Sequence, residues 1–185
     1  MLRIVAVTGM PGAGKSTAAQ ALVAEGWKRV VMGDVIRAET RRRGLEPDAK
    51  NTGEVMKLLR MEKGESAVAD LCLEVIAKGK DEKIVVDGIR SIEEVRAFQK
   101  KASVLLVAVL ASPARRFELL KDRGRKDDPL TQQMFAERDK REIRVGIGEA
   151  IAIADETISN QHSTPERLAA EMAKVVERWE ADVAP

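Results

Sequence analysis

An apolar run, Leu2 to Val7, stops at Gly9-Met10-Pro11-Gly12-Ala13-Gly14-Lys15-Ser16-Thr17, and helix-forming residues follow from Ala18. Strand, glycine-rich turn and helix in that order is the setting of the phosphate-binding loop G-x-x-x-x-G-K-[ST]. A loop wound around a phosphate must point successive backbone N–H groups inward. Gly9, Gly12 and Gly14 leave room for that approach and permit positive φ. The N-terminus of the next helix adds a positive dipole end aimed at the anion. Lys15 then reaches terminal phosphate oxygens, the Ser16 hydroxyl is a ligand for Mg²⁺, and Gly9 to Thr17 form the expected ATP-binding loop. At ordinary residue usage roughly one random chain in a hundred of this length would match, and the strand–helix setting lowers that further.

The rest of the chain reads as one α/β domain spanning 1–185. Strand-like runs at Leu2–Thr8, Arg29–Met32, Lys83–Asp87, Ser103–Leu110 and Glu156–Ser159 alternate with helical patterns near 15–25, 34–43, 53–62, 65–79, 91–100, 113–122, 131–145 and 165–181. Continuous β-branched runs separated by helices indicate a parallel sheet covered on both faces. The spacing puts Val68, Leu71, Cys72, Val75 and Ile76 on one helix face, and Leu168, Met172, Val175, Val176 and Trp179 on another. Residues 34–80 and 122–146 break the alternation and read as insertions over the strand ends, where open α/β sheets bind ligands.

Composition mostly excludes. Lys+Arg 32 against Asp+Glu 30 gives a net charge of +2, unlike a polyanion-binding protein. The lone Cys72 rules out an internal disulfide, and its apolar helical neighbours make it a core residue. No apolar run reaches membrane-span length, and residues 1–9 lack a signal-peptide pattern, so the expectation is a cytoplasmic protein with no membrane partner.

Three further clusters carry chemistry. Gly33-Asp34-x-x-Arg37 follows the second strand. Asp34 reads either as a helix cap beside a solvated Arg37, or as a group that orients or deprotonates an attacking oxygen while Arg37 grips an acceptor phosphate. Asp87-Gly88-Ile89-Arg90 closes the third strand. A carboxylate there needs a cation or donors, and the Mg²⁺ shell shared with Ser16 is the expected partner; Ser91 caps the next helix. Arg123-Gly124-Arg125-Lys126-Asp127-Asp128 joins two helices ahead of Arg138, Arg141 and Arg144. Arginines brought over a transferring phosphoryl group stabilise its charge, and closure excludes water.

With these pieces in order, the chain resembles P-loop kinases of small molecules, in particular nucleoside monophosphate and dephospho-coenzyme A kinases. Gly33-Asp34-x-x-Arg37 is similar to the Gly-Asp-hydrophobic-hydrophobic-Arg of adenylate-type kinases, and Asp87-Gly88-x-Arg90 to their Asp-Gly-(Phe-Pro)-Arg, one residue shorter. The Arg123–Asp128 run resembles the lid of UMP/CMP kinases, and Ala154-Asp155-x-x-Ile158-x-Asn160 a motif near the adenine in dephospho-coenzyme A kinases. Taken whole, the chain looks like a group of small archaeal P-loop proteins described as kinase-like, which share Met32-Gly33-Asp34-Val35, Asp87-Gly88-Ile89-Arg90-Ser91 and Gly146-Ile147-Gly148-Glu149-Ala150-Ile151-Ala152. The resemblance implies a three-layer P-loop NTPase fold with a five-stranded parallel sheet in order 2-3-1-4-5, a helical acceptor-binding insertion at 34–80 and a lid at 123–130. It implies ATP and Mg²⁺ as cofactors, with Lys15, Arg123 and Arg125 on the transferring group and Ser16 and Asp87 on the metal. Asp34, Arg37 and Arg90 would meet the acceptor, Asn160 would lie near the base, and Arg138 or Arg141 would supply a further clamp.

The expected function is ATP-dependent phosphoryl transfer to a nucleotide or nucleotide-like small molecule. The alternative is a P-loop ATPase or switch acting with a protein or RNA partner, though mixed charge and sparse aromatics argue against a dedicated nucleic-acid binder.

Overall fold

A computed structural model describes residues 1–124 and 128–183. Elements run in the order β1 (Arg3–Thr8), α1 (Lys15–Ala24), β2 (Lys28–Val31), α2 (Met32–Arg42), α3 (Ala49–Lys63), α4 (Ala67–Ala77), β3 (Lys83–Ile89), α5 (Ile92–Gln99), β4 (Ser103–Leu110), α6 (Pro113–Arg123), α7 (Gln132–Val145), α8 (Ile147–Ala152), β5 (Glu156–Ser159) and α9 (Pro165–Asp182). The five strands pair in parallel in the order β2-β3-β1-β4-β5, as expected.

Strand alternation builds the three layers. In β1, Ile4 and Ala6 face one core with Ile36, Leu59, Val68, Cys72 and Phe98 from the α2–α5 side. Val5 and Val7 face the other, with Ala18, Leu22, Leu168, Met172 and Val176 from α1 and α9. The central strand is buried on both faces, which fixes the carboxyl end from which the next loop starts.

Four boundaries differ from the sequence reading. Met32 begins α2 rather than ending β2, because Met32 and Ile36, one turn apart, both bury. β3 does not stop at Asp87: Gly88, at φ 110°, makes a bulge, and the pairing shifts from Val7↔Asp87 to Thr8↔Ile89. Helix α3 starts early because the Asp48 carboxylate caps it, accepting from Asn51 N at 2.8 Å. The short α8 was missed, since Gly146 and Gly148 interrupt any periodic signal there. On α4 the buried stripe is Val68, Ala69, Cys72 and Ile76, while Val75 is 46% exposed. Helices α2 to α4 occupy the expected insertion between β2 and β3, beside the end of the strand that carries Asp87 and Arg90.

Candidate functional site: a phosphate loop and its cavity

The loop after β1 takes its shape from the protein around it as much as from any ligand. Gly9, Gly12 and Gly14 have φ of 139°, 82° and 103°. A Cβ on Gly9 would strike the Val109 carbonyl oxygen of β4, and one on Gly14 the side-chain amide of Asn160. On Gly12 it would lie 2.6 Å from the Arg116 carbonyl oxygen. The glycines therefore let the loop lie flush against β4, α6 and the end of β5, and any side chain would lift it off.

Lys15 folds back over this loop, donating from Nζ to the carbonyl oxygens of Gly9 (2.6 Å) and Met10 (3.1 Å). Burial pushes its ammonium down to about 8, opposed by the Asp87 carboxylate and reinforced by the Arg90 guanidinium. A polyanion arriving here restores the charged form. Binding of Mg-ADP at pH 8 is therefore expected to take up a proton, up to about half of one per site, falling to nothing by pH 6. Calorimetry in two buffers of different ionisation enthalpy reads this uptake. Identical heats at pH 8 would contradict it.

Ser16 Oγ donates to Asp87 Oδ2 at 3.0 Å, joining the loop to β3. Asp87 is buried, and the cation that meets it is one the sequence reading missed: Arg29 Nη2 of β2 lies 2.5 Å from the same oxygen. The missed signal was positional. β2 pairs with β3 so that Val31 faces Asp87 and Arg29 lies two residues earlier on that strand. The hydroxyl–carboxylate pair fits a hard divalent ion, with Arg29 as a fixed counter-charge behind it. Among the described residues there is no cluster of three or more His, Cys, Asp or Glu side chains for a metal.

A cavity of about 510 Å³ opens over the loop. It reaches from Asn160, Ser163 and Leu168 on the β5 side to Gly88, Arg90 and Glu142 on the β3 side, with Arg123 and Arg138 also in its wall. Asn160 is buried and its amide donates to Ala13 O at 3.0 Å, so it braces the phosphate loop while lining the cavity. Arg90 Nε lies 2.9 Å from Glu142 Oε2 of α7, and its Nη1 touches the Met56 sulfur of α3. The Arg90 backbone N–H donates to the buried Glu94 carboxylate at 2.7 Å, and burial pushes the pKa of that carboxyl up. Asp128 engages both Arg123, through Nε at 2.9 Å, and Arg138, at 3.4 Å. A single aspartate thus holds an arginine of α6 and one of α7 by ion pairing.

Other sequence-picked residues fall elsewhere. Asp34, 65% exposed, and Arg37 pair with each other in the first turns of α2 and are not in the cavity wall. Opening α2 at Met32 turns this part of the motif outward. Of the two candidate clamps on α7, Arg138 lines the cavity, while Arg141 is exposed and does not. Arg125 and Asp127 lie outside the described residues.

Arg116 is among none of the site residues singled out from the sequence. It is buried, donates to Pro11 O at 3.0 Å, forks onto Asp139 at 2.9 and 2.6 Å, and lies over the Phe135 ring at 4.9 Å. A single guanidinium thus ties the phosphate loop to α7, the helix that carries Arg138 and Glu142. The only hint in the sequence is that Arg116 follows Ser112 by one turn, on the side of α6 that also buries Leu120.

Comparison with known proteins now decides the family. Residues 5–144 match the AAA domain family. The UPF0200 protein of Methanocaldococcus jannaschii is 46% identical over 162 residues, covering 86% of this chain and 82% of that one. This chain belongs to the UPF0200 family. Its Thermococcus kodakarensis member is 44% identical over 180 residues, covering 94% of this chain and 96% of that one. Among solved structures, TT1252 from Thermus thermophilus superposes with a TM-score of 0.66 at 15% identity, covering 100% of this chain and 99% of that one. The shikimate kinase from Acinetobacter baumannii in complex with shikimate gives 0.59 at 15%, covering 96% and 94%. At such identity the likeness is one of fold, and that fold is P-loop kinase-like. Among the described residues no helix is long and apolar enough to cross a membrane.

Proposed function

We propose that this UPF0200 protein is an ATP-dependent phosphotransferase that moves the γ-phosphoryl group of ATP to a nucleotide or nucleotide-like acceptor. The observation that carries this reading is the cavity's extent. It continues past Lys15 to Arg90 on the β3 side, beside the α2–α4 insertion, leaving room for an acceptor opposite the side closed by Asn160. Backbone N–H groups of the Gly9–Thr17 loop, Pro11 having none, would hold the polyphosphate, and Lys15 would leave Gly9 O and Met10 O to meet it. Arg123, Arg125 and Arg138 would stabilise charge building on the transferring group. Ser16 and Asp87 would hold Mg²⁺, partly through water, and the ion supplies neutralisation of phosphate charge when bound. Arg90 positions the acceptor. Residues 123–130 would act as a lid over the donor, and cover from α6 and α7 keeps water from competing.

Release of ADP with and without AMP, CMP, UMP and dephospho-coenzyme A tests the reading. Turnover raised by one of these acceptors supports transfer. Slow turnover indifferent to all four, but raised by RNA or a protein partner, would favour a nucleotide-dependent switch instead. Arg125→Ala is expected to lower kcat about 10²-fold or more with little change in ATP affinity. An unchanged kcat would remove it from the catalytic set.

A further inference from the structure

The acceptor end of the cavity already contains a negative charge. Sheet order places β5 on one side of the phosphate loop and β3 on the other, and the β3 side ends against Arg90 and Glu142. Glu142 stands one turn beyond Arg138 on α7, mostly buried, with Oε2 2.9 Å from Arg90 Nε. It lies near enough to Lys15 for its charge to oppose the loss of that ammonium's proton. Other carboxylates are committed elsewhere. Asp87 is held by Ser16 and Arg29, and Asp34 pairs with Arg37 outside the cavity. Among the described residues, Asp122 at the end of α6 is the other acid in the cavity wall, on the lid side.

Resting on the phosphotransferase reading, we propose that the acceptor offers an alcohol hydroxyl, not a phosphate monoester, to the γ-phosphoryl group, and that Glu142 takes its proton. Arg90, which follows β3 in the cavity wall, is neutralised by Glu142. A phosphate dianion there would have to expel the carboxylate or sit against it, and like charges so placed repel strongly. An alcohol meets no such obstacle. Its O–H donates to the carboxylate, whose second oxygen can accept while Oε2 stays with Arg90. In the step, the alcohol oxygen forms a bond to Pγ and the bridging Pγ–O bond breaks. Its electron pair leaves on ADP, and the alcohol proton passes to Glu142. Arg90 acts here as a positioning residue that aims the carboxylate.

The test offers Mg-ATP with two sets of acceptors, alcohols (adenosine, ribose, dephospho-coenzyme A) and monophosphates (AMP, CMP, UMP), and identifies the product by phosphorus NMR. A new phosphomonoester is expected. Glu142→Gln should then lose about 10²-fold or more in kcat, with ATP KM within threefold. Glu142→Asp should recover part of that loss. A phosphoanhydride product, or a Glu142→Gln enzyme as active as the parent, overturns the proposal.

Should neither set raise turnover, AMP titrated into the ADP-saturated protein decides. Binding should be at least about tenfold tighter in Glu142→Gln, where Arg90 is freed, and equal affinities overturn the assignment. Failure of the kinase reading looks different: the parent protein would either show no calorimetric binding of Mg-ATP, or bind it with a turnover raised by RNA or a protein partner and by no small acceptor.

Discussion

Lys15→Ala is expected to abolish nucleotide-dependent turnover, with kcat/KM falling at least about 10²–10³-fold. The ammonium is the charge held directly over the phosphate loop, and it is desolvated, so its attraction for a polyanion is weakly screened. Removing it should not unfold the protein. A buried lysine whose pKa is lowered to about 8 is held in its charged form at a cost below that pH, so its loss relieves the native state at pH 7. The two loop carbonyls it leaves lie beside an open cavity and can take water. Thermal unfolding at pH 7 should therefore shift by less than about 4 °C. A large fall in Tm alongside lost activity would mean that Lys15 chiefly holds the loop together.

Arg116→Met should have the opposite signature, with a large loss of stability. The guanidinium is buried and answers Asp139, itself largely buried, and the Pro11 carbonyl. Truncating it strands the carboxylate, which typically costs about 3–5 kcal/mol, on the order of 10 °C in Tm for a chain of this size. Replacing both partners by apolar groups, Arg116→Met with Asp139→Leu, should restore much of that, because no uncompensated charge remains. Urea denaturation with a double-mutant cycle measures the coupling. A single-variant loss below about 1 kcal/mol would show that the clamp is not what joins the loop to α7. Activity of the double variant then reports whether the tie to α7 matters for positioning Arg138 and Glu142.

The two variants also separate what could be read in advance from what could not. Lys15 is recognisable because the loop is local: six consecutive residues, Gly9 to Gly14, must adopt one backbone path, and that demand is written in residue type. β4 and α9 were equally legible, each being a continuous run with a clean period, and β5 was fainter. Arg116 and Asp139 are separated by 23 positions, and neither has a period or motif that points to the other. Arg29 and Asp87 are 58 apart and meet only through the register of β2 on β3.

Asp34 and Arg37 lie outside the cavity wall for a related reason. Their motif is compatible with two helix starts, and the burial of Met32 selected the one that faces them outward.

The amino-acid order by itself determined the doubly covered parallel sheet, the strand order through its resemblance, the phosphate loop and the polarity of the site. Those depend on backbone demands and hydrophobic period, which act over a few residues. Only the tertiary structure decided which charges meet: Arg29 on Asp87, Arg116 on Asp139, Glu142 on Arg90, and Arg138 rather than Arg141 in the cavity wall. Coulomb partners are chosen by distance in space and by how far water is excluded between them, and neither is a function of separation along the chain.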